Sequence, residues 1–258
     1  MAKTALVTGA SAGIGKELAR VHARQGGDLI LTARREAALT ELKTELEEQH
    51  SVTVHVFALD LGAAGGADQL YDAVKGAGLQ VDILINNAGF GGHGRHVERD
   101  LASELAMIDL NVKALVTLTH RFGQNMVARG GGKILNVGST AGFMPGPLQA
   151  VYFATKAFVN SFSQAVDQEL RGKGVTCTVL APGYVETEFA EVADLGGTQM
   201  VRSGGATAES VARHGYEAMQ RGKLLTINQG SLSFLLNWVV PLIPRRLLLR
   251  LIQHGQSK

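Results

Sequence analysis

The chain of 258 residues sets 25 Lys or Arg against 23 Asp or Glu, a formal charge of +2. That balance lacks the strongly basic face of a nucleic-acid binder, while 45% hydrophobic and 19% charged residues suit a soluble globular protein. A single cysteine, Cys177, can make neither an internal disulfide nor a Cys-based metal cluster, which fits a reducing, cytoplasmic setting.

Taken in chain order, "MAKTALVTGA" has an apolar run that breaks at Thr8 and Gly9, too short for a secretory signal. "TALVT" (4–8) predicts a strand, and "IGKELARVHARQ" (14–25) has helical spacing up to Gly26 and Gly27. The alternation returns in "DLILTA" and "EAALTELKTELEEQ", in "VTVHVFA" and 64–75, and in "DILI" before a helical stretch over 101–129. "KILNV", the helix holding "VYFATKAFVN" (151–160), "TCTVLA", a helix near 207–220 and "LLTI" complete the series. Seven strands separated by crossover-length segments predict one doubly wound α/β domain over 1–258, a parallel sheet with helices on both faces. The stretch 188–206 reads as an irregular loop, long enough to act as a substrate lid.

In such sheets ligands sit at the carboxyl ends of the strands, so the first turn, "TGASAGIG", carries the most information. Glycines 9, 13 and 15 let the backbone approach a pyrophosphate, and the next helix offers its unpaired N–H groups. A glycine turn also arises simply to let a helix pack closely on a sheet. The turn resembles that of the classical short-chain dehydrogenases/reductases, and four further motifs follow in that family's order and spacing: "NNAG" (86–89), "NVGS" ending at Ser139, "YFATK" (152–156) and "PGYVET" (182–187). The similarity covers nearly the whole chain and weakens after about residue 188.

The resemblance implies a Rossmann-type fold binding a nicotinamide dinucleotide through Gly9, Ser11, Gly13, Ile14 and Gly15, with Asp60 and Leu61 against adenine. It sets Asn87, Ala88 and Gly89 along the ribose and nicotinamide, and Val185 and Thr187 at the carboxamide. An Asp at a strand end is otherwise an ordinary turn or cap residue. At the tip of the second strand, "LTARR" has Ala33 where NAD-preferring members carry aspartate, followed by Arg34, which can bind a 2′-phosphate bidentately. NADP(H) is therefore expected over NAD(H), although Ala12 stands where many NADP-users have a second basic residue. Arg34 and Arg35 otherwise merely open the next helix, where positive charge is unfavourable.

For the chemistry, a phenol near pKa 10 needs help as a neutral-pH acid, and Lys156, one helical turn beyond Tyr152, is expected to pull its pKa down. The resemblance makes Asn111, Ser139, Tyr152 and Lys156 catalytic: Tyr152 the proton donor, Ser139 the group polarising a carbonyl, Lys156 also a ribose ligand, and Asn111 the anchor of a relay water. Thr140 competes with Ser139, and Asn111 also suits a helix kink. The expected activity is carbonyl–alcohol interconversion by hydride transfer on a small molecule; a redox-sensing NADP-binding module without turnover is the alternative.

Other features are less specific. His93 and His96 lie in a glycine-rich loop without carboxylate or cysteine partners, so no metal is expected; His55 is expected to pack beneath a helix. The apolar extension over about 230–258 holds only a 13-residue greasy run cut by Pro241 and Pro244, too short to span a membrane. It would roof an apolar pocket for a hydrophobic substrate, pair with another subunit, or lie on a membrane with Arg245, Arg246 and Arg250 at the headgroups. On a helical wheel Val151, Ala154, Phe158 and Phe162 form the core stripe of the 151–160 helix, and Phe153, Ala157 and Asn160 face away, toward a second subunit of a homodimer or homotetramer.

Overall fold

A computed structural model describes residues 3–258. The apolar runs at Ala5–Thr8 (β1), Leu29–Ala33 (β2), Val54–Ala58 (β3), Ile83–Asn86 (β4), Gly132–Val137 (β5) and Val175–Leu180 (β6) are strands of one sheet, which Leu225–Thr226 (β9) completes. Two short strands, Val185–Glu186 (β7) and Ala206–Thr207 (β8), pair separately. Every pairing in the large sheet is parallel, in the order β3-β2-β1-β4-β5-β6-β9. The order reverses between β1 and β4, so the connections leaving these two strands diverge and open a crevice at their carboxyl ends.

Successive side chains of a strand point to opposite faces. Val7, Leu31, Ile85 and Leu135 meet one layer, formed by Gly13–Arg24 (α1), Glu36–His50 (α2) and Ala208–Gln220 (α9). Leu6, Ile30, Leu84 and Ile134 meet the other, with Gly66–Gly76 (α3) and Leu115–Ala128 (α5). Strands covered on both sides are apolar throughout, which is why they read as continuous runs. The sequence-predicted doubly wound sheet of seven strands is the observed one. His55 is half-buried on the edge strand β3.

The predicted 101–129 helix is continuous but not uniform. Leu101–Ile108 (α4), capped by Asp100 accepting from Ser103 N at 3.0 Å, passes through a π-helical turn, Asp109–Ala114, into α5. The widened turn holds Asn111.

The helix Ala150–Arg171 (α6) faces the other way from the predicted wheel. Phe153, Lys156, Val159, Asn160, Ser163 and Asp167 are buried, whereas Ala154 is exposed and Phe158 is 40% exposed, stacked on Phe162 with centroids 5.5 Å apart. Polar satisfaction outweighs the greasy stripe. Asn160 Nδ2 donates to Ser139 O (3.0 Å), Ser163 Oγ accepts from Asn136 (2.8 Å), and Asp167 Oδ1 accepts from Cys177 N (2.8 Å). Stranding three buried partners at about 1–3 kcal/mol each costs more than burying Phe158 and Phe162 fully would return, at most about 3 kcal/mol per side chain and less for rings already part-covered.

The stretch read as an irregular loop also differs. It holds two short helices, Phe189–Val192 (α7) and Gln199–Arg202 (α8), and the β7–β8 ladder clasps its base. The C-terminal segment continues as Gly230–Phe234 (α10), further tight turns, and Arg245–Gln256 (α11), whose Leu236, Val240 and Leu248 pack on Val179, Ala181 and Ile227.

Candidate active site

One cavity of about 800 Å³ occupies the crevice, running from the tips of β1 and β2 to the underside of α11. Its floor is the glycine turn. Gly9 (φ +66°) and Gly13 (φ +54°) adopt left-handed backbone, and a Cβ at Gly15 would lie 2.4 Å from both Gly9 O and Asn87 Nδ2. The turn closes through β4: Thr8 Oγ1 accepts from Asn87 N (2.9 Å) and Ala88 N (3.0 Å), while Asn87 Nδ2 donates to Thr8 O (3.0 Å). Gly9, Ser11, Gly13 and Ile14 line the cavity, and Gly15 lies just beneath it. Across the opening, Thr187 stands 3.1 Å from where a Gly13 Cβ would sit, with Val185 nearby on the same wall.

The far wall carries Arg34, Asp60 and Leu61; Asp60 Oδ1 accepts from Gly62 N (2.9 Å), the ordinary turn contact. Arg35, a residue the sequence did not single out as a ligand, also lines this end, donates to Ser11 Oγ at 3.3 Å and pairs with Glu188 at 2.9 Å. A glycine cradle that a Cβ would fill, with two guanidinium groups at one end, fits a phosphate-bearing dinucleotide.

Ser139, Tyr152 and Lys156 converge on the middle of the cavity. Ser139 follows β5, 8% exposed, its Oγ accepting from Ala141 N (3.1 Å). Thr140 lines the cavity beside it, its N–H donating to Pro182 O at 2.9 Å. The Tyr152 ring packs against Phe189, centroids 5.3 Å apart. Lys156, 6% exposed, donates Nζ to Val137 O at 2.8 Å, and that nitrogen lies 5.9 Å from the Tyr152 ring centroid.

The expected depression of the Tyr152 pKa is not what the environment produces. Burial pushes the phenol up to about 12, with the Ser139 hydroxyl acting weakly in the other direction. Burial also lowers the Lys156 ammonium to about 8. Sequence spacing puts the two side chains one turn apart on α6, but burial disfavours phenolate and ammonium alike.

Asn111 is 2% exposed and sits behind the β4 loop rather than on the cavity wall. Its side chain accepts from Phe90 N (3.1 Å) and donates to Phe90 O (2.9 Å) and Thr155 Oγ1 (3.2 Å). Gly89 passes so close that a Cβ would stand 2.8 Å from Asn111 Oδ1.

The remaining end of the cavity is apolar, walled by Met144, Phe153, Phe189, Val192, Leu195 and Ile252. Phe189, Val192 and Leu195 come from the stretch after β7, and Ile252, with Gln256, from α11 of the C-terminal extension. Gln149 also lines this end and donates Nε2 to Gln256 Oε1; Gln256 O accepts from His93 Nε2 at 2.7 Å. No motif spacing marks these positions, because they meet only through tertiary packing. His96 Nδ1 pairs with Glu104 at 3.3 Å, and among the described residues no group of three or more His, Cys, Asp or Glu is placed to hold a metal.

A family model described as "short chain dehydrogenase" matches residues 3–195. The chain is 40% identical over 214 residues to sulfoacetaldehyde reductase 2 of Chromohalobacter salexigens, covering 82% of this chain and 81% of that one. It is 34% identical over 194 residues to the human very-long-chain 3-oxoacyl-CoA reductase, covering 73% of this chain and 61% of the relative. In structure it resembles the short-chain dehydrogenase from Sphingobium yanoikuyae in complex with NADPH, with a TM-score of 0.85 at 29% identity, covering 99% and 98% of the two chains. The parallel sheet order agrees with these matches, and the chain belongs to the short-chain dehydrogenase/reductase family of oxidoreductases.

Proposed function

We propose that the protein is an NADP(H)-dependent reductase or dehydrogenase acting on a hydrophobic carbonyl–alcohol pair. One observation carries the reading: a neutral phenol, a serine hydroxyl and a buried lysine meet in one cavity between a glycine cradle and an apolar chamber. The reduced nicotinamide, when bound, supplies hydride to the carbonyl carbon. Gly9, Gly13, Gly15, Arg34 and Arg35 would hold the dinucleotide, Asp60, Leu61 and Ala88 its adenine and ribose side, and Val185 and Thr187 its carboxamide. Ser139 Oγ orients the carbonyl oxygen, and Tyr152 Oη gives that oxygen its proton as negative charge develops. Lys156, anchored on Val137 O, meets the ribose hydroxyls and stabilises the phenolate left behind. Asn111 fixes the Phe90 backbone at the rim. The segment 188–206 serves as the lid over the substrate.

Two guanidinium groups at the adenine end, with Ala33 in place of an acid, support NADP(H). The apolar chamber supports a medium or long aliphatic or alicyclic carbonyl. NADPH consumption against carbonyls graded by chain length and polarity tests both: turnover rises with apolar length, and Arg34→Ala with Arg35→Ala raises the KM for NADPH by about tenfold or more while that for NADH changes little. Equal rates on small polar sugars, or a variant that loses both cofactors alike, would overturn the reading.

A homo-oligomer remains part of the proposal, with its contact face moved. Phe153 and Asn160 are inside, so the partner face of α6 is the exposed side bearing Ala154 and the Phe158–Phe162 stack, near exposed Leu101 and Leu105 of α4. Light scattering is expected to give a multiple of the 27.3 kDa chain mass, and a single-chain mass counts against it.

A further inference from the structure

The C-terminal segment buries one side and leaves the other uncovered. Leu236, Val240 and Leu248 fill the core, whereas Phe234 (63% exposed), Trp238 (69%), Leu242 (82%) and Leu251 (55%) face outward. Arg245, Arg246 and Arg250 of the same segment are also exposed, and none forms an ion pair among the described residues. From Ala218 to Lys258 the sequence contains six Lys or Arg and no Asp or Glu. The neighbouring helix α8 adds exposed Arg202, and the acid recorded near the chain end, Asp194, is paired with Lys258 at 2.7 Å.

We propose that this face docks on an anionic lipid surface. Large apolar side chains, an exposed tryptophan and an all-basic polar complement are the attributes of a segment lying in the headgroup plane. Among the described residues no helix is long and apolar enough to cross a membrane, so the contact is peripheral. A second copy meets the same face less well: self-pairing would bring arginine toward arginine with no carboxylate in either segment to answer it. α11 links docking to the cavity, because its inner side supplies Ile252 and Gln256 to the wall while Leu247 and Leu251 point out. Docking does not depend on which carbonyl is reduced.

Trp238 is the only tryptophan, so its emission reports on this face alone. The full chain, mixed with phosphatidylcholine vesicles or with vesicles also containing phosphatidylglycerol, is expected to sediment with the anionic vesicles, shift Trp238 emission to the blue, and release in high salt. Arg245→Glu with Arg246→Glu and Arg250→Glu should cut vesicle affinity by roughly two orders of magnitude or more, with thermal unfolding unchanged. Leu242→Ser, a milder change at an exposed site, should weaken binding without abolishing it. Unshifted emission with anionic vesicles overturns the proposal, as does binding indifferent to the arginine reversals. So does blue emission without vesicles that reddens on dilution as the mass falls, since a second copy would then cover the face.

Discussion

Tyr152→Phe is expected to lower kcat for carbonyl reduction by about 10³-fold while NADPH binding persists, because a positioned general acid contributes roughly 10²–10⁴. The substitution removes one oxygen and leaves the ring against Phe189 and Phe153, with centroids at 5.3 and 6.2 Å, so the fold has little reason to change. With burial holding the phenol at about 12, Tyr152 carries its proton throughout the neutral range. Reduction, which consumes that proton, therefore should not fall between pH 6 and 7 for want of a protonated tyrosine. Oxidation of the alcohol needs the phenolate and should gain with rising pH. Stopped-flow turnover and a fluorescence titration of NADPH separate chemistry from binding. Unchanged turnover in the variant would show that the cavity binds cofactor without using this residue, the behaviour of a sensor rather than a catalyst.

How far such residues are legible in the sequence depends on what holds them. The seven strands were legible because a parallel sheet covered on both faces demands apolar runs, and its crossovers demand helices between them. The Ser139, Tyr152 and Lys156 cluster was legible through the family resemblance, whose motif spacing these three residues match. The orientation of α6 was not. A wheel weighs apolarity, whereas Asn160, Ser163 and Asp167 turn inward to satisfy Ser139 O, Asn136 and Cys177 N, partners far away in sequence. The Tyr152 pKa failed for a related reason: spacing reports proximity, but burial decides which charge states survive. Gln149 and Gln256 line the cavity through long-range packing that no local pattern records, whereas Arg35 stands beside Arg34 at the tip of β2.

Lys156→Met is the second large effect, and its stability signature is separable from its activity. Loss of the ammonium is expected to cost about 100-fold or more in carbonyl reduction, since the positive charge beside the forming phenolate is then gone. In the cofactor-free protein, burial lowers Lys156 from 10.5 to about 8. Between those values the unfolded chain holds a proton that the folded chain does not, so wild-type stability from this group rises with pH across that window. At about 1.4 kcal/mol per pH unit, the gain is on the order of 3 kcal/mol. Below pH 8 the contribution is constant, and the Met variant's relief from burying a charge is offset by leaving Val137 O without its donor, a loss of about 1–3 kcal/mol. Tyr152 acts in the opposite sense above pH 10, because its folded pKa is raised and stability falls as pH climbs. That contribution is shared by both proteins and largely cancels in their difference. Urea unfolding of the two cofactor-free proteins at a series of pH values reads the difference directly: parallel stability curves between pH 8 and 10.5 would place the Lys156 proton in both states alike, and with it the ammonium already in contact with water.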